Sequence, residues 1–306
     1  MGKTYDVIII GSGPAGLTAG IYAKRAGLDA LIITNNPVDG GQIATTYEVD
    51  NYPGLPEMNG ADLGTKFREH ADKLGVEIVL DRVKAVSDGG AIKTVTGDRD
   101  VYEGKTIVIC AGADHRKLGV PGETEHIGMG VSYCATCDGA FYRKKTVAVV
   151  GGGDVALEDA IFLSRFADKV YLIHRRDQFR GAAILVDQVK AIDKIEIVYD
   201  TVVDEIVGEE KVDHLLIRNV KSNVSTELPV NGVFMAVGIM PNADVFSGLA
   251  DQDESGYFIA GEDCVTSTPG IFVAGDIRTK QLRQVITAAS DGANSITSVS
   301  RYLQSL

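Results

Sequence analysis

The chain has 306 residues, 45% of them apolar and 24% charged, enough for two globular domains of ordinary size and typical of soluble ones. Its formal net charge of −12 speaks against nucleic acid as a partner, because phosphate binding needs clustered Lys and Arg. The opening apolar run, residues 7–10, falls far short of a signal-peptide core or of the roughly 20 residues that span a bilayer. No membrane association and a cytoplasmic location are therefore expected.

In chain order, residues 5–10 read as a buried strand running into Gly11-Ser12-Gly13-Pro14-Ala15-Gly16. A helix-compatible stretch at 17–26 and a second strand at 30–34 follow. Residues 105–112 read as another strand, ending in a glycine turn at Gly112. The opening pattern then recurs: a strand at 146–150, the loop Gly151-Gly152-Gly153-Asp154, a helix-compatible stretch at 157–166 and a strand at 169–174. From the first glycine of each loop to the end of the next strand is 23 residues in both units. A glycine loop between strand and helix offers backbone N–H groups and close approach to the pyrophosphate of a dinucleotide. Two such units in matching register predict an α/β protein with two doubly wound, Rossmann-like nucleotide-binding domains.

Residues 231–238 repeat the strand-and-glycine pattern, and 270–276 do so again before a long helical pattern at 284–303. That helix has to cover something, and the first domain lacks a closing element. The C-terminal segment is thus expected to return to the first domain, which becomes discontinuous, 1–115 and 246–306. Residues 116–245 form the second domain, inserted into the first. Both junctions are turn-rich, and two short crossings suit a hinge.

The ends of the second strands separate the two nucleotide sites. A site for NAD usually has Asp or Glu there, to accept from the ribose 2′-hydroxyl; the first domain has Thr34. The second has His174-Arg175-Arg176, with Arg180 four residues on. Forked guanidinium groups bind a 2′-phosphate, so NADPH is expected over NADH; the plain alternative is a basic surface turn. Cys134-Ala135-Thr136-Cys137 ends 14 residues before Gly151. Such a pair is either a dithiol–disulfide couple or half of a zinc site. Zinc needs two more ligands, and Cys110, Cys264 and the five histidines are scattered, so no metal is expected. Asp138, next to the pair, suits either proton exchange or a helix cap. Cys110, inside an apolar strand, reads as a core thiol, and Cys264 receives no role. Nicotinamide and a disulfide exchange electrons poorly without a mediator. A flavin supplies one, which assigns FAD to the first domain.

On these residues the chain resembles the low-molecular-weight thioredoxin reductases of bacteria and archaea over essentially its whole length. The stretches that carry the resemblance are 11–16, 40–42, 51–54, Cys134 to Gly139, 151–154, 174–180, 238–242, Gly275-Asp276 and 283–285. The resemblance implies FAD bound by Gly11, Gly13, Ala15, Gly16, Gly41, Gln42, Asn51, Gly112, Asp276, Arg283, Gln284 and Val285. It implies NADPH bound by Gly151, Gly153, Asp154, His174, Arg175, Arg176 and Arg180. Cys137 would face the flavin, Cys134 would attack a thioredoxin or thioredoxin-like protein, and Asp138 would handle the proton. The resemblance also implies a homodimer and an inserted domain that rotates between two states. Asp154 stands where many members have Asn. A reductase of another small disulfide protein, such as a glutaredoxin-like or peroxidase component, is the nearest alternative. A non-catalytic flavin-binding protein would need neither Asp138 nor the arginines.

Overall fold

A computed structural model describes residues 3–37, 40–46, 49 and 51–306. The chain divides into two compact units, 1–114 with 240–306 and 115–239.

The first unit is built on parallel strands in the order Glu77–Leu80, Ala30–Thr34, Thr4–Ile10 and Val101–Ile109. Ile271–Val273 also pairs with Val101–Ile109 in parallel. Val7 to Ile10 are apolar at consecutive positions because both faces of the strand are buried there. Val7 and Ile9 enter one core cluster, with residues of the helices Pro14–Arg25 and Val285–Gln304. Ile8 and Ile10 enter another, with Val95, Phe246, Phe258 and Ala260. The antiparallel strands Val83–Gly89 and Ile92–Gly97 extend the sheet beyond Val101–Ile109. Pro14 sits at the start of its helix, where its missing N–H is no loss, and Lys24 and Arg25 lie in the last turn. The C-terminal helix closes the first unit: a Cβ on Gly292 would run into the carbonyl oxygen of Ala15.

The second unit repeats the scheme with parallel strands in the order Ile195–Val198, Lys169–Ile173, Thr146–Gly151, Gly232–Ala236 and Val131–Ser132. One face, with Val147, Val149, Val170 and Leu172, packs on the helices Asp154–Leu163 and Ala183–Ala191. The other carries Ala148, Val150 and Ile173, and is covered by the antiparallel strands Thr201–Gly208, Val212–Asn219 and Ser225–Pro229. In both units, then, one layer over the parallel sheet is helical and the opposite core draws on antiparallel strands.

The chain passes between the units at 114–115 and 239–240, through the strands Ala113–His115 and Ile239–Pro241, which pair with each other. The second crossing falls six residues before the expected 245–246. The reason is packing: Ala243 and Phe246 already belong to a core cluster of the first unit, and the Asn242 N–H donates to the Gly112 carbonyl at 3.0 Å. Among the described residues no helix is long and apolar enough to cross a membrane.

Candidate redox-active site

In the second unit, the Sγ atoms of Cys134 and Cys137 are bonded to each other. Cys134 precedes the short helix Ala135–Asp138, and its sulfur accepts from the Cys137 N–H at 3.2 Å. The Asp138 N–H donates to the Cys134 carbonyl at 3.1 Å, so one turn of backbone holds both sulfurs and the carboxyl together. Asp138 Oδ2 accepts from Ser132 Oγ at 2.6 Å, while Oδ1 is buried with no hydrogen-bond partner among the described residues. Burial pushes the Asp138 carboxyl above the ordinary carboxylate range, and the Ser132 hydroxyl pulls it partly back. A carboxyl raised in this way beside a disulfide can give and take a proton there. Just before the pair, Tyr133 donates to Glu123 Oε1 at 2.8 Å and stacks on His115 with ring centroids 5.1 Å apart. The two remaining cysteines are buried free thiols. Burial holds Cys110 well above its ordinary value and Cys264 at about 12, which keeps both unreactive.

The second glycine loop lies in the same unit as the disulfide. Gly151 has no room for a side chain: a Cβ there would collide with the Ala236 carbonyl oxygen. Gly153 is the extended N-cap of the helix Asp154–Leu163, and a Cβ on it would face open space. Asp154 accepts from the Ala182 N–H at 2.7 Å through Oδ1. The buried His174 ring lies against Gly152, stacks on Phe179 at 5.2 Å and has Nε2 3.0 Å from the Gln178 carbonyl. The Arg180 N–H donates to the Gly152 carbonyl at 2.8 Å. This folds the 174–180 segment back onto the glycine loop and leaves Arg175, Arg176 and Arg180 exposed beside it. Three cations next to a helix N-terminus are a setting for a phosphate.

The first unit gathers the other predicted set. Gly11 has φ +114°, and a Cβ on Gly16 would run into the Gly11 carbonyl oxygen. Gly41 approaches Gly13: a Cβ on it would lie 3.3 Å from the Gly13 Cα. Ala15 packs in the same way against Gly275, the neighbour of Asp276. Gly112 has φ +70° and faces open space. Gln42 Nε2 donates to Asp114 Oδ1 at 3.2 Å. Asn51 Nδ2 donates to Gln284 Oε1 at 2.8 Å across 233 residues of chain. Gln284 caps the helix that begins at Val285. Arg283 lies over the Tyr257 ring at 4.2 Å.

Two observations fit this cradle to a bound dinucleotide. The glycine backbone leaves no space for side chains where close approach is needed, and the buried Asp276 Oδ1 and Arg283 Nε lack hydrogen-bond partners among the described residues. Burial raises the Asp276 carboxyl, opposed by the Lys280 and Arg283 charges. Where a ribose-binding carboxylate would be expected, Thr34 Oγ1 instead pairs with Ser12 Oγ at 2.8 Å. Ser132 and the buried Arg278–Asp291 pair (2.7 Å) went unread in the sequence, since no spacing rule marks either.

A family model described as "Pyridine nucleotide-disulphide oxidoreductase" matches residues 5–292. A thioredoxin reductase of Listeria innocua is 44% identical over 305 residues, covering 99% of this chain and 95% of that protein. The crystal structure of a Streptococcus pyogenes thioredoxin reductase is 45% identical, with a TM-score of 0.95 and 99% of both chains covered. A Lactococcus lactis thioredoxin reductase, solved in its FR conformation, is 41% identical, with a TM-score of 0.69 over 99% of this chain and 100% of that one. The chain belongs to the pyridine nucleotide-disulphide oxidoreductases and, within them, to the thioredoxin reductases. It is accordingly a flavoprotein oxidoreductase that works with FAD and NADPH.

Proposed function

We propose that this protein moves two electrons from NADPH to the Cys134–Cys137 disulfide and on to a thioredoxin-type protein. FAD, when bound, accepts a hydride as an electron pair and releases the electrons onward. In this reading the first unit holds FAD. Gly11, Gly13, Ala15, Gly16, Gly41 and Gly112 leave backbone room for its pyrophosphate and sugar. Asp276 Oδ1 offers an acceptor to the ribityl chain, and Gln42, Asn51, Arg283, Gln284 and Val285 line the ring. The second unit holds NADPH through Gly151, Gly153, Asp154 and His174, with Arg175, Arg176 and Arg180 on the 2′-phosphate. Cys137 takes the electrons, Cys134 attacks the partner disulfide, and Asp138 carries the proton.

The observation that carries the reading is the bonded Cys134–Cys137 pair beside the raised Asp138 carboxyl, in one unit with the arginine-flanked glycine loop. Two crossings of a few residues, at 114–115 and 239–240, support a turning motion of the second unit during the cycle. Two buried free thiols suit a reducing compartment such as the cytoplasm, and a homodimer is the assembly we propose.

The test is NADPH oxidation driven by oxidised thioredoxin. Replacing Arg175 and Arg176 by Ala removes charge-assisted contacts worth about 1.5–3 kcal/mol each when fully made. Because both side chains are exposed, the KM for NADPH should rise only about 10- to 100-fold, with NADH kinetics little changed. An unaltered KM for NADPH would refute the assignment of the arginines.

A further inference from the structure

We infer that Ser132 is a positioning residue for the proton transfers of the disulfide, aiming the Asp138 carboxyl so that Oδ1 is the oxygen left to exchange. The inference rests on the role proposed above for Asp138. Ser132 sits in the short strand Val131–Ser132, whose residues pair with Val233 and Phe234 of the central sheet, and it is 4% exposed. Its Oγ accepts from the Cys134 N–H at 3.1 Å. That leaves one hydrogen to direct. Two acceptors are in reach, Asp138 Oδ2 at 2.6 Å and the Cys134 carbonyl at 3.4 Å, and the nearer one takes it.

The hydroxyl therefore links three things: the sheet that carries it, the backbone of Cys134 and one oxygen of Asp138. Asp138 Oδ2 is occupied, while Oδ1 is buried without a partner among the described residues. A carboxyl on a four-residue helix has free rotation about χ1 and χ2 unless something holds it. The Ser132 bond holds it to the sheet, and the sulfur pair hangs from the same turn.

The proton has a defined route. When two electrons open the Cys134–Cys137 bond, two sulfurs are released as thiolates. Asp138, protonated, gives its proton to Cys134 Sγ and becomes a carboxylate. It takes that proton back as Cys134 attacks the partner disulfide, and passes it to the partner sulfur that leaves. The Cys137 thiolate then attacks Cys134 Sγ of the mixed disulfide, re-forming the Cys134–Cys137 bond and releasing the second partner sulfur. Water supplies that sulfur's proton and reprotonates Asp138, so two electrons and two protons leave with the partner.

The groups that could confuse a titration are few. Tyr142, on the following turn, is raised to about 12 by burial and by the Asp138 charge. The helix Asp154–Leu163, which packs against this segment, carries the exposed Glu158 and carries Asp159, raised by burial and by Glu158 to about 7. Asp159 can produce a limb of its own near neutrality, which Ser132 does not touch.

The experiment compares the holoenzyme with Ser132→Ala, Ser132→Thr, Asp138→Asn and Asp159→Asn. One readout is the pH profile of thioredoxin reduction by NADPH. The other is the carbon-13 titration of the side-chain carboxyl signal that Asp138→Asn deletes from aspartate-labelled protein. A donor to the carboxylate stabilises its charged form, so removing it moves the midpoint upward. In Ser132→Ala, the limb abolished by Asp138→Asn and the matching carbon signal should both move up by about one pH unit. Ser132→Thr keeps the hydroxyl and returns both toward the parent, and Asp159→Asn leaves both in place. Parent-like midpoints in folded, yellow Ser132→Ala overturn the inference while leaving Asp138 in its role. If Asp138→Asn leaves the profile unchanged, the role of Asp138 itself falls, and the inference with it.

Discussion

At the scale of single residues, Asp291 shows how much one carboxylate organises. It projects from the C-terminal helix and is 3% exposed. Oδ2 accepts from the Gly275 N–H at 2.9 Å, from Arg278 Nε at 2.8 Å and from Lys280 Nζ at 2.9 Å; Oδ1 accepts from Arg278 Nη2 at 2.7 Å. Lys280 in turn lies 3.9 Å from Asp276 Oδ1. The turn that presents Asp276 is thus pinned from behind by a buried charge cluster. Removing one member of such a cluster leaves the others uncompensated, at a cost of about 3–5 kcal/mol. Asp291→Asn is therefore expected to lose a substantial part of that figure and to lower the melting temperature by several degrees. It should also release flavin more readily on dilution, because Gly275 and Asp276 lose their anchor. Calorimetry and the ratio of flavin to polypeptide after gel filtration check both halves; a variant as stable and as yellow as the parent would contradict the argument.

At the scale of elements, the glycine loops and the parallel strands were legible for the same physical reason. A strand buried on both faces must be apolar at consecutive positions, and residues 7–10 and 147–150 are. A loop pressed between strand and helix must omit side chains. Gly16 is the clearest instance, since its Cβ would occupy the place of the Gly11 carbonyl oxygen. Gly16→Ala must displace that loop, and it should cut FAD affinity at least tenfold, about 1.4 kcal/mol, while the second unit still binds NADPH. Fluorescence titration of each cofactor separates the two effects, and undiminished FAD binding would show that the loop can yield. The antiparallel strands were not legible. Ser225–Pro229 is almost wholly polar or exposed, and Val83–Gly89 has a burial pattern without clean alternation. Ser132 escaped notice because its bond to Asp138 spans six residues of sequence and exists only once the turn has formed. Asp291 meets Gly275 and Arg278 across 16 and 13 residues, at no helical or strand period.

At the scale of the whole molecule, a paired ribbon joins the two units. It consists of Ala113–His115 and Ile239–Pro241, and a two-stranded ribbon by itself is marginal. Each crossing is preceded by a glycine: Gly112 at φ +70° and Gly238 at φ +118°. Their carbonyls accept from the far end of the opposite crossing, Gly112 from the Asn242 N–H at 3.0 Å and Gly238 from the Arg116 N–H at 2.9 Å. A Cβ on Gly238, which lies outside the proposed FAD cradle, would face open space, so substitution there tests backbone freedom without a packing penalty. Gly238 lies far from any conformation that an L side chain adopts easily. If turnover bends this ribbon, Gly238→Ala should lower kcat for thioredoxin reduction several-fold and leave the KM for NADPH within about twofold, since the nucleotide site is intact. Steady-state kinetics at saturating thioredoxin, with the variant's flavin content matched to the parent, makes the comparison. Equal kcat in Gly238→Ala and the parent would mean that the ribbon is a passive tether and that the turning motion, if turnover needs one, bends the chain elsewhere.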